Sequence, residues 1–299
     1  MKAPSFDYVR ATSLDHALDI LAERGADARV LAGGQSLIPA LNMRLQSPPL
    51  LVDIGALDEL RGITIDGDVV RIGALARHRD VEDSQIVEEH VPLIHEAIRH
   101  VAHPAIRNRG TLGGSLALGD PAAELPACAV ALDARIMVAS TRGRRTIGAR
   151  DFYRGLFDTA LEPDELIVQV EIDAIGDGWR SGFCELARRR GDFALVGLAA
   201  HMCVSGSTFE DGRLVFFGVG GAPTPARHAW EQIKGRWCEP PVLTAAREAV
   251  SRALDPPGDT SASAATRMHL AQILLSRVVV AVAANAEGKA RCRIRSKRR

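Results

Sequence analysis

Two short glycine pairs are the residues best placed to do chemistry through their backbone. Leu31-Ala32-Gly33-Gly34-Gln35-Ser36-Leu37 follows an apolar run and precedes a segment with helical features. Gly110-Thr111-Leu112-Gly113-Gly114-Ser115-Leu116 has the same design, paired glycines flanked by hydroxyl side chains. Adjacent glycines admit positive φ and let a ligand approach the main chain closely. Successive N–H groups in such a turn form a concave anion site, to which Ser36 adds a hydroxyl donor. A diphosphate is a natural guest, and two such loops can hold one long diphosphate cofactor between them. Neither is a G-x-G-x-x-G fingerprint, and neither is a P-loop with its G-K-[ST]. Taken singly, each also reads as a tight turn, so the residues alone leave the cofactor open.

A third element, Asp120-Pro121-Ala122-Ala123-Glu124-Leu125-Pro126, places two carboxylates just beyond the second pair. They can accept hydrogen bonds from ribose hydroxyls or an adenine amino group. The same residues also read as a helix start, with Asp120 as cap and Pro121 at the first position, and both readings can hold at once. His103 reads as a structural loop histidine, with tuning or covalent attachment of a cofactor as its sharper alternative. Cys128 lies in an apolar run and reads as a small buried hydrophobe. Gly218-Val219-Gly220-Gly221-Ala222-Pro223 runs into prolines and reads as a strand end and turn. No G-x-S-x-G elbow or H-E-x-x-H pair occurs. The five cysteines are scattered, with no C-x-x-C pair, so no metal site is expected and any iron–sulfur cluster must sit on another chain.

Around these residues the periodicity predicts a helix over 13–24, where Leu14, Ala17, Leu18 and Leu21 share a face, Thr12 or Ser13 caps and Gly25 ends it. Strands are expected at 29–32, 50–54 and 166–172. Hairpins are expected over 63–72, around Asp66-Gly67-Asp68, and over 135–147, turning at Arg142-Gly143. A helix is expected over 91–101. A Gly- and Asp-rich stretch at 174–182 marks a domain boundary. Beyond it, strands at 195–204 and 213–219 are expected to join around Asp211-Gly212, followed by helices over 243–254 and 264–284. This order argues an α+β fold rather than a regular doubly wound sheet.

Acidic and basic residues balance at 37 each and only 4% of residues are aromatic, so no nucleic-acid partner is expected. No continuous apolar run reaches the ~18 residues of a membrane-spanning helix, and the start lacks the apolar core of a signal peptide. Together with unpaired cysteines this predicts a cytoplasmic protein. The basic end, 289–299, reads as a solvated, poorly ordered tail.

Three ordered segments together resemble the FAD-binding medium subunit of molybdenum hydroxylases, the xanthine dehydrogenase and aerobic carbon monoxide dehydrogenase relatives. They are Ala32-Gly33-Gly34-Gln35-Ser36-Leu37, then His103-Pro104-Ala105-Ile106-Arg107-Asn108-Arg109-Gly110-Thr111-Leu112-Gly113-Gly114-Ser115, then the segment from Asp120 to Pro126. Arg188-Arg189-Arg190-Gly191-Asp192-Phe193-Ala194 is similar to a family segment near the flavin, and 261–277 to its late helix. The resemblance implies a two-part FAD-binding domain of the PCMH (vanillyl-alcohol-oxidase-like) type over 1–176, with subdomains of about 1–56 and 57–176. A smaller α+β domain with antiparallel strands and helices, similar to the carbon monoxide dehydrogenase flavoprotein C-terminal domain, would span 177–288, and a basic tail 289–299.

Carried onto this chain, the resemblance implies that Gly33, Gly34, Gln35, Ser36 and Leu37, with Thr111, Leu112, Gly113, Gly114 and Ser115, wrap the FAD diphosphate. Val30, Leu31 and Ala32 would line the same stretch. Glu124, with Asp120 nearby, would meet the adenosine half, Val101 would touch the cofactor, and Ile106 would approach the flavin ring. Cys184-Glu185 stands where relatives often carry a lysine, so a lysine contact to the flavin is not expected. No side chain is expected to act as a general acid or base. The implied function is to pass electrons from [2Fe–2S] clusters on a small partner through FAD to an external acceptor, with substrate oxidised at a molybdenum cofactor on a large partner, in a dimer of heterotrimers. The rival readings are a self-sufficient FAD-dependent oxidase or reductase of the same superfamily, and a binding module that has lost its cofactor.

Overall fold

A parallel, three-stranded sheet opens the computed structural model, which describes residues 2–296, with side chains as far as residue 284. Its order is β1 (Asp7–Arg10), β3 (Leu50–Asp53), β2 (Ala28–Leu31). The helix α1 (Leu14–Arg24) covers it as its periodicity demands: Leu14, Ala17, Leu18 and Leu21 are buried, Ser13 accepts the N–H of His16, and Gly25 ends the helix at positive φ. The short α2 (Leu37–Asn42) follows β2 across the first glycine pair.

A five-stranded antiparallel sheet comes next. Its order is β4 (Ile63–Asp66), β5 (Val69–Gly73), β10 (Leu166–Asp173), β6 (Arg135–Ser140), β7 (Gly143–Gly148). Both of its faces are buried. In β10, Leu166 and Val168 pack toward α1 and the small sheet, whereas Ile167, Val170 and Ile172 pack on the opposite face. That second face is covered by α4 (Gln85–His90), α5 (Pro92–Ile98), α7 (Leu112–Leu118) and α8 (Glu124–Ala131). The short helices α3 (His78–Glu82) and α6 (Pro104–Arg107) lie between these elements in sequence, and α9 (Ala149–Phe152) leads into a small hairpin, β8 (Tyr153–Gly155) with β9 (Asp158–Thr159).

The last sheet is antiparallel, in the order β11 (Trp179–Ala187), β12 (Ala194–Ser205), β13 (Thr208–Phe217), β14 (Thr224–Pro225). One face carries Val196, Leu198, Ala200 and Met202 against α10 (Arg227–Ile233), α11 (Pro240–Ala253) and α12 (Ala264–Ser296). The other face joins the preceding core through Phe183, Ala199, Val215 and Phe217. The molecule is therefore α+β, as expected, with one core running through the seam between its two larger sheets.

Several expectations need correction. The hairpin of β12 and β13 turns at Gly206, at φ 57°, and not at Asp211-Gly212. That pair lies inside β13 opposite Cys203 and Met202, beside a register shift, where a side chain on residue 212 would collide with Met202. The strand β11 starts inside the stretch read as a boundary. The helix expected over 91–101 spans only Pro92–Ile98. By length and composition, Ala264–Ala284 passes as a candidate membrane span, against the expectation of none. Its Ala271, Leu274, Leu275, Val279 and Val282 are packed in the core, which is the pattern of a core helix. The backbone of α12 continues through most of the segment expected as a disordered tail; residues 297–299 lie outside the described residues.

Candidate functional site

The first glycine pair leaves β2 where Ile54 donates to the Leu31 carbonyl. Gly34 takes φ 71°, a left-handed conformation open to glycine, and Ile38 then donates to the Gly34 carbonyl as α2 begins. The side chain of Gln35 turns back to donate to the Gly33 carbonyl at 3.1 Å. Among the described residues, no protein acceptor meets the backbone N–H groups of Gly33, Gly34, Gln35, Ser36 and Leu37. Five successive donors, none fully buried, are thus free for a ligand. This is the arrangement that binds anions, and it fits a diphosphate.

The second pair differs from the expected loop. Gly113 and Gly114 lie in the first turn of α7, whose cap is Thr111: the Thr111 hydroxyl accepts the Gly114 N–H at 3.1 Å. Leu112 donates to the Ala76 carbonyl and Gly113 to the Ala74 carbonyl. The amides here are committed to the protein. The glycines instead give close approach, since a side chain on Gly113 would meet Ala74 at 2.7 Å. Gly114 remains exposed and Ser115 half-buried on the accessible side of the helix.

The two pairs, remote in sequence, meet in space. A side chain on Gly33 would collide with the Arg109 carbonyl and stand 2.9 Å from the Gly110 Cα, and one on Gly114 would reach the Ala32 Cβ at 4.0 Å. Val30, Leu31 and Ala32 lead into this contact. Ile106 reaches it through its backbone, its carbonyl accepting from Arg109 and Gly110. Val101 lies one step behind: its carbonyl accepts from Arg107, and its side chain packs on the core.

Asp120 and Glu124 stand beyond the far end of α7, which at 1.5 Å per residue is about 10 Å from Thr111. Only an extended ligand touches both places. Asp120 is not a helix cap: its carboxylate accepts the Ala122 N–H at 2.9 Å in a turn, and α8 starts at Glu124. Burial raises the pKa of Asp120. Glu124 is buried, and desolvation, with Glu185 and Asp120 nearby, pushes its pKa up to about 8. Its carboxyl therefore holds a proton at neutral pH.

The segment 188–194 comes to the same region from the last sheet. Gly191, at φ 85°, abuts the ring of His103, and Phe193 projects 72% exposed. At the position where a lysine was not expected, Glu185 lies 3.2 Å from the Nδ1 of His100. The second pair is supported by His78 and Glu82, which no motif marks, and by Arg107, which lies in the family segment but with no role assigned to it there. His78 binds the Thr111 carbonyl at 3.0 Å, and Arg107 pairs with Glu82 at 2.8 Å. Arg77-His78-Arg79-Asp80 reads as a solvated charge run, so no local signal marks it.

Known proteins resemble this chain over nearly its whole length. A family model described as the FAD binding domain in molybdopterin dehydrogenase matches residues 4–173, and one described as the CO dehydrogenase flavoprotein C-terminal domain matches 181–282. The chain is 39% identical to the nicotine 6-hydroxylase medium subunit of Paenarthrobacter nicotinovorans, over 94% of this chain and 98% of that one. It is 36% identical to the glyceraldehyde dehydrogenase medium chain of Sulfolobus acidocaldarius, over 95% and 100%. Its structure superposes on carbon monoxide dehydrogenase from Hydrogenophaga pseudoflava with TM-score 0.93 at 34% identity, covering 95% of this chain and 99% of that chain. Quinoline 2-oxidoreductase from Pseudomonas putida 86 gives 0.90 at 37% identity, covering 96% and 99%.

Proposed function

This chain belongs to the family of FAD-binding medium subunits of molybdenum hydroxylases, and from that membership we propose how its own residues serve the cofactor. It is an oxidoreductase subunit that binds FAD and carries electrons; the molybdenum and iron–sulfur cofactors of such complexes belong to other subunits. Bound FAD supplies the redox chemistry, accepting electrons singly and releasing them in pairs.

One observation carries the residue assignment: the segment 33–37, whose five amides have no protein acceptor among the described residues, abuts the second glycine segment where Gly33 meets Arg109 and Gly110 and Ala32 lies near Gly114. In our reading Gly33, Gly34, Gln35, Ser36 and Leu37 donate to the diphosphate, after the strand residues Val30, Leu31 and Ala32. Thr111, Leu112, Gly113, Gly114 and Ser115 form the opposing wall, in which the buried Thr111, Leu112 and Gly113 set the backbone and the accessible Gly114 and Ser115 meet the ligand, Ser115 adding a hydroxyl. Asp120 and Glu124 take the adenosine half. Because Glu124 is protonated near neutrality, it donates a hydrogen bond there. Val101 and Ile106 lie toward the flavin, where 188–194 closes the site. The division into a cofactor domain, 1–176, and a C-terminal domain, 177–288, belongs to the same reading. So do a large molybdenum partner, a small [2Fe–2S] partner, assembly as a dimer of heterotrimers, a cytoplasmic location, and α12 as a core helix rather than a membrane span.

The test is the visible spectrum of the purified chain with added FAD. Flavin absorption is expected, and its loss is expected in Gly34→Val combined with Gly114→Val while the far-ultraviolet circular dichroism is retained. Unchanged flavin content in that variant refutes the placement of the cofactor.

A further inference from the structure

We propose that His78 is a positioning residue for the cofactor: its imidazole pins the carbonyl of Thr111 and thereby sets the glycine wall against which FAD lies. The proposal rests on the placement of FAD against residues 111–115 given above.

The segment 110–113 is strapped to 74–78 by four hydrogen bonds. Three are between backbones: His78 N–H to the Gly110 carbonyl at 2.8 Å, Leu112 N–H to Ala76 at 3.0 Å, and Gly113 N–H to Ala74 at 2.9 Å. The fourth comes from a side chain, the Nε2 of His78 on the Thr111 carbonyl at 3.0 Å. A carbonyl only accepts, so Nε2 carries the hydrogen and Nδ1 is bare. Nδ1 is buried, has no partner among the described residues, and faces Gly110, where a side chain would come within 3.0 Å of it. An imidazolium would place a second N–H in that spot with nothing to receive it. Burial, with Arg107 nearby, favours the neutral ring further, lowering its pKa to about 4.

Thr111 is the pivot on which this bond acts. Its hydroxyl accepts from Gly114 and its carbonyl from both His78 and Ser115. Fixing that carbonyl fixes the first turn of α7, and with it the two residues, Gly114 and Ser115, that remain open to a ligand. Glu82, one turn further along α3, holds Arg107 at 2.8 Å, and Arg107 donates to the Val101 and Ala102 carbonyls. Ala102 is held at φ 46°, left-handed for a residue with a side chain. Buried His78 and half-buried Glu82, one turn apart at the two ends of α3, therefore position both ends of the stretch 101–111. Backbone bonds to 74–78 hold Gly110, Leu112 and Gly113; the carbonyl between them has, besides Ser115 of its own helix, the His78 ring as its tie to that segment.

The experiment uses the full chain, assembled with its partners, in wild-type, His78→Leu, His78→Gln and Gly114→Val forms, and follows FAD release on dilution by flavin fluorescence. Histidine-labelled wild-type chain is examined in parallel by 15N NMR, with His78→Gln assigning the signal. Loss of one hydrogen bond predicts FAD retention about tenfold weaker in His78→Leu. Gln, whose amide N–H can reach the same carbonyl, is expected to return it to within about threefold. The ring is expected to stay a neutral Nε2–H tautomer down to about pH 5. Wild-type retention in folded His78→Leu, with flavin lost from Gly114→Val, overturns the pin and leaves the glycine site standing. Flavin unchanged in both overturns the site and the pin with it. Should His78→Leu fail to fold, an Nδ1–H tautomer or a ring that titrates near 6.5 overturns the pin on wild-type protein alone.

Discussion

Two kinds of buried ionisable residue bend the stability of this protein in opposite directions with pH. His78 and His201 are held neutral, each with its pKa lowered by burial to about 4. Between about 6.5 and 4 the unfolded chain takes up protons there that the folded chain refuses, so stability falls with falling pH; for His78 the full loss is about 3 kcal/mol. Glu124 is the reverse. Its pKa, raised to about 8 by desolvation and then by Glu185 and Asp120, makes the folded state the better proton binder. Its contribution is complete below about 4.5 and is lost as pH rises through about 8. Glu124→Gln, which keeps shape and a donor while removing the ionisation, is therefore expected to raise the melting temperature at pH 9 relative to wild type and to leave it unchanged at pH 5. Thermal melts of the full chain across pH check this, and an equal effect at both pH values would remove Glu124 from the alkaline limb.

At the scale of elements, the close contacts of glycine separate positions that composition treats alike. Gly33→Ala forces the first glycine segment away from Arg109 and Gly110, and overpacking of this kind costs about 1–3 kcal/mol. It is expected to lower both flavin content and melting temperature. Gly155→Ala faces open space at ordinary φ and is expected to change neither; equal behaviour of the two variants in absorbance and melting assays refutes the contact. Much of this level was legible from residue order. Ser13, the buried face of α1 and Gly25 delimit that helix, and Gly67 turns the first hairpin where expected. The turn of the β12–β13 hairpin was not legible, because Asp211-Gly212 carries a stronger turn pattern than Ser205-Gly206-Ser207, and only the register with Met202 shows it to be a strand. The second glycine pair misled for a related reason: Gly113 and Gly114 read as loop formers, yet the Thr111 cap and the carbonyls of Ala74 and Ala76, which no local pattern reveals, draw them into α7. The amides of 33–37 stay without a protein acceptor because, among the described residues, nothing distant competes for them.

For the molecule as a whole, the decisive contacts cross the seam between the two larger sheets. The Gly218 N–H reaches the Pro121 carbonyl at 2.8 Å, tying the end of β13 to the turn that carries Asp120. Behind it Arg267, buried on α12, donates to the Leu195 and Gly218 carbonyls and pairs with Asp259 at 2.6 Å. Arg267→Met removes the donor to those carbonyls and is expected to lower stability by about 3 kcal/mol, read as a shift in urea midpoint; an unchanged midpoint would show that the last sheet and α12 hold together without it. The meeting of Gly33 with Arg109 and Gly110 has a consequence for biogenesis. A nascent chain that has emerged only through α2 owns the donors but not the wall, and the wall in turn waits for the sheet that β10 completes. With the cofactor placed as proposed above, it is therefore not expected to template the early chain. In that placement its retention waits for residues 110–115 and the sheet behind them, so flavin loading is expected to serve as a checkpoint: absorbance would count subunits whose first two sheets are folded before they are built into a larger enzyme.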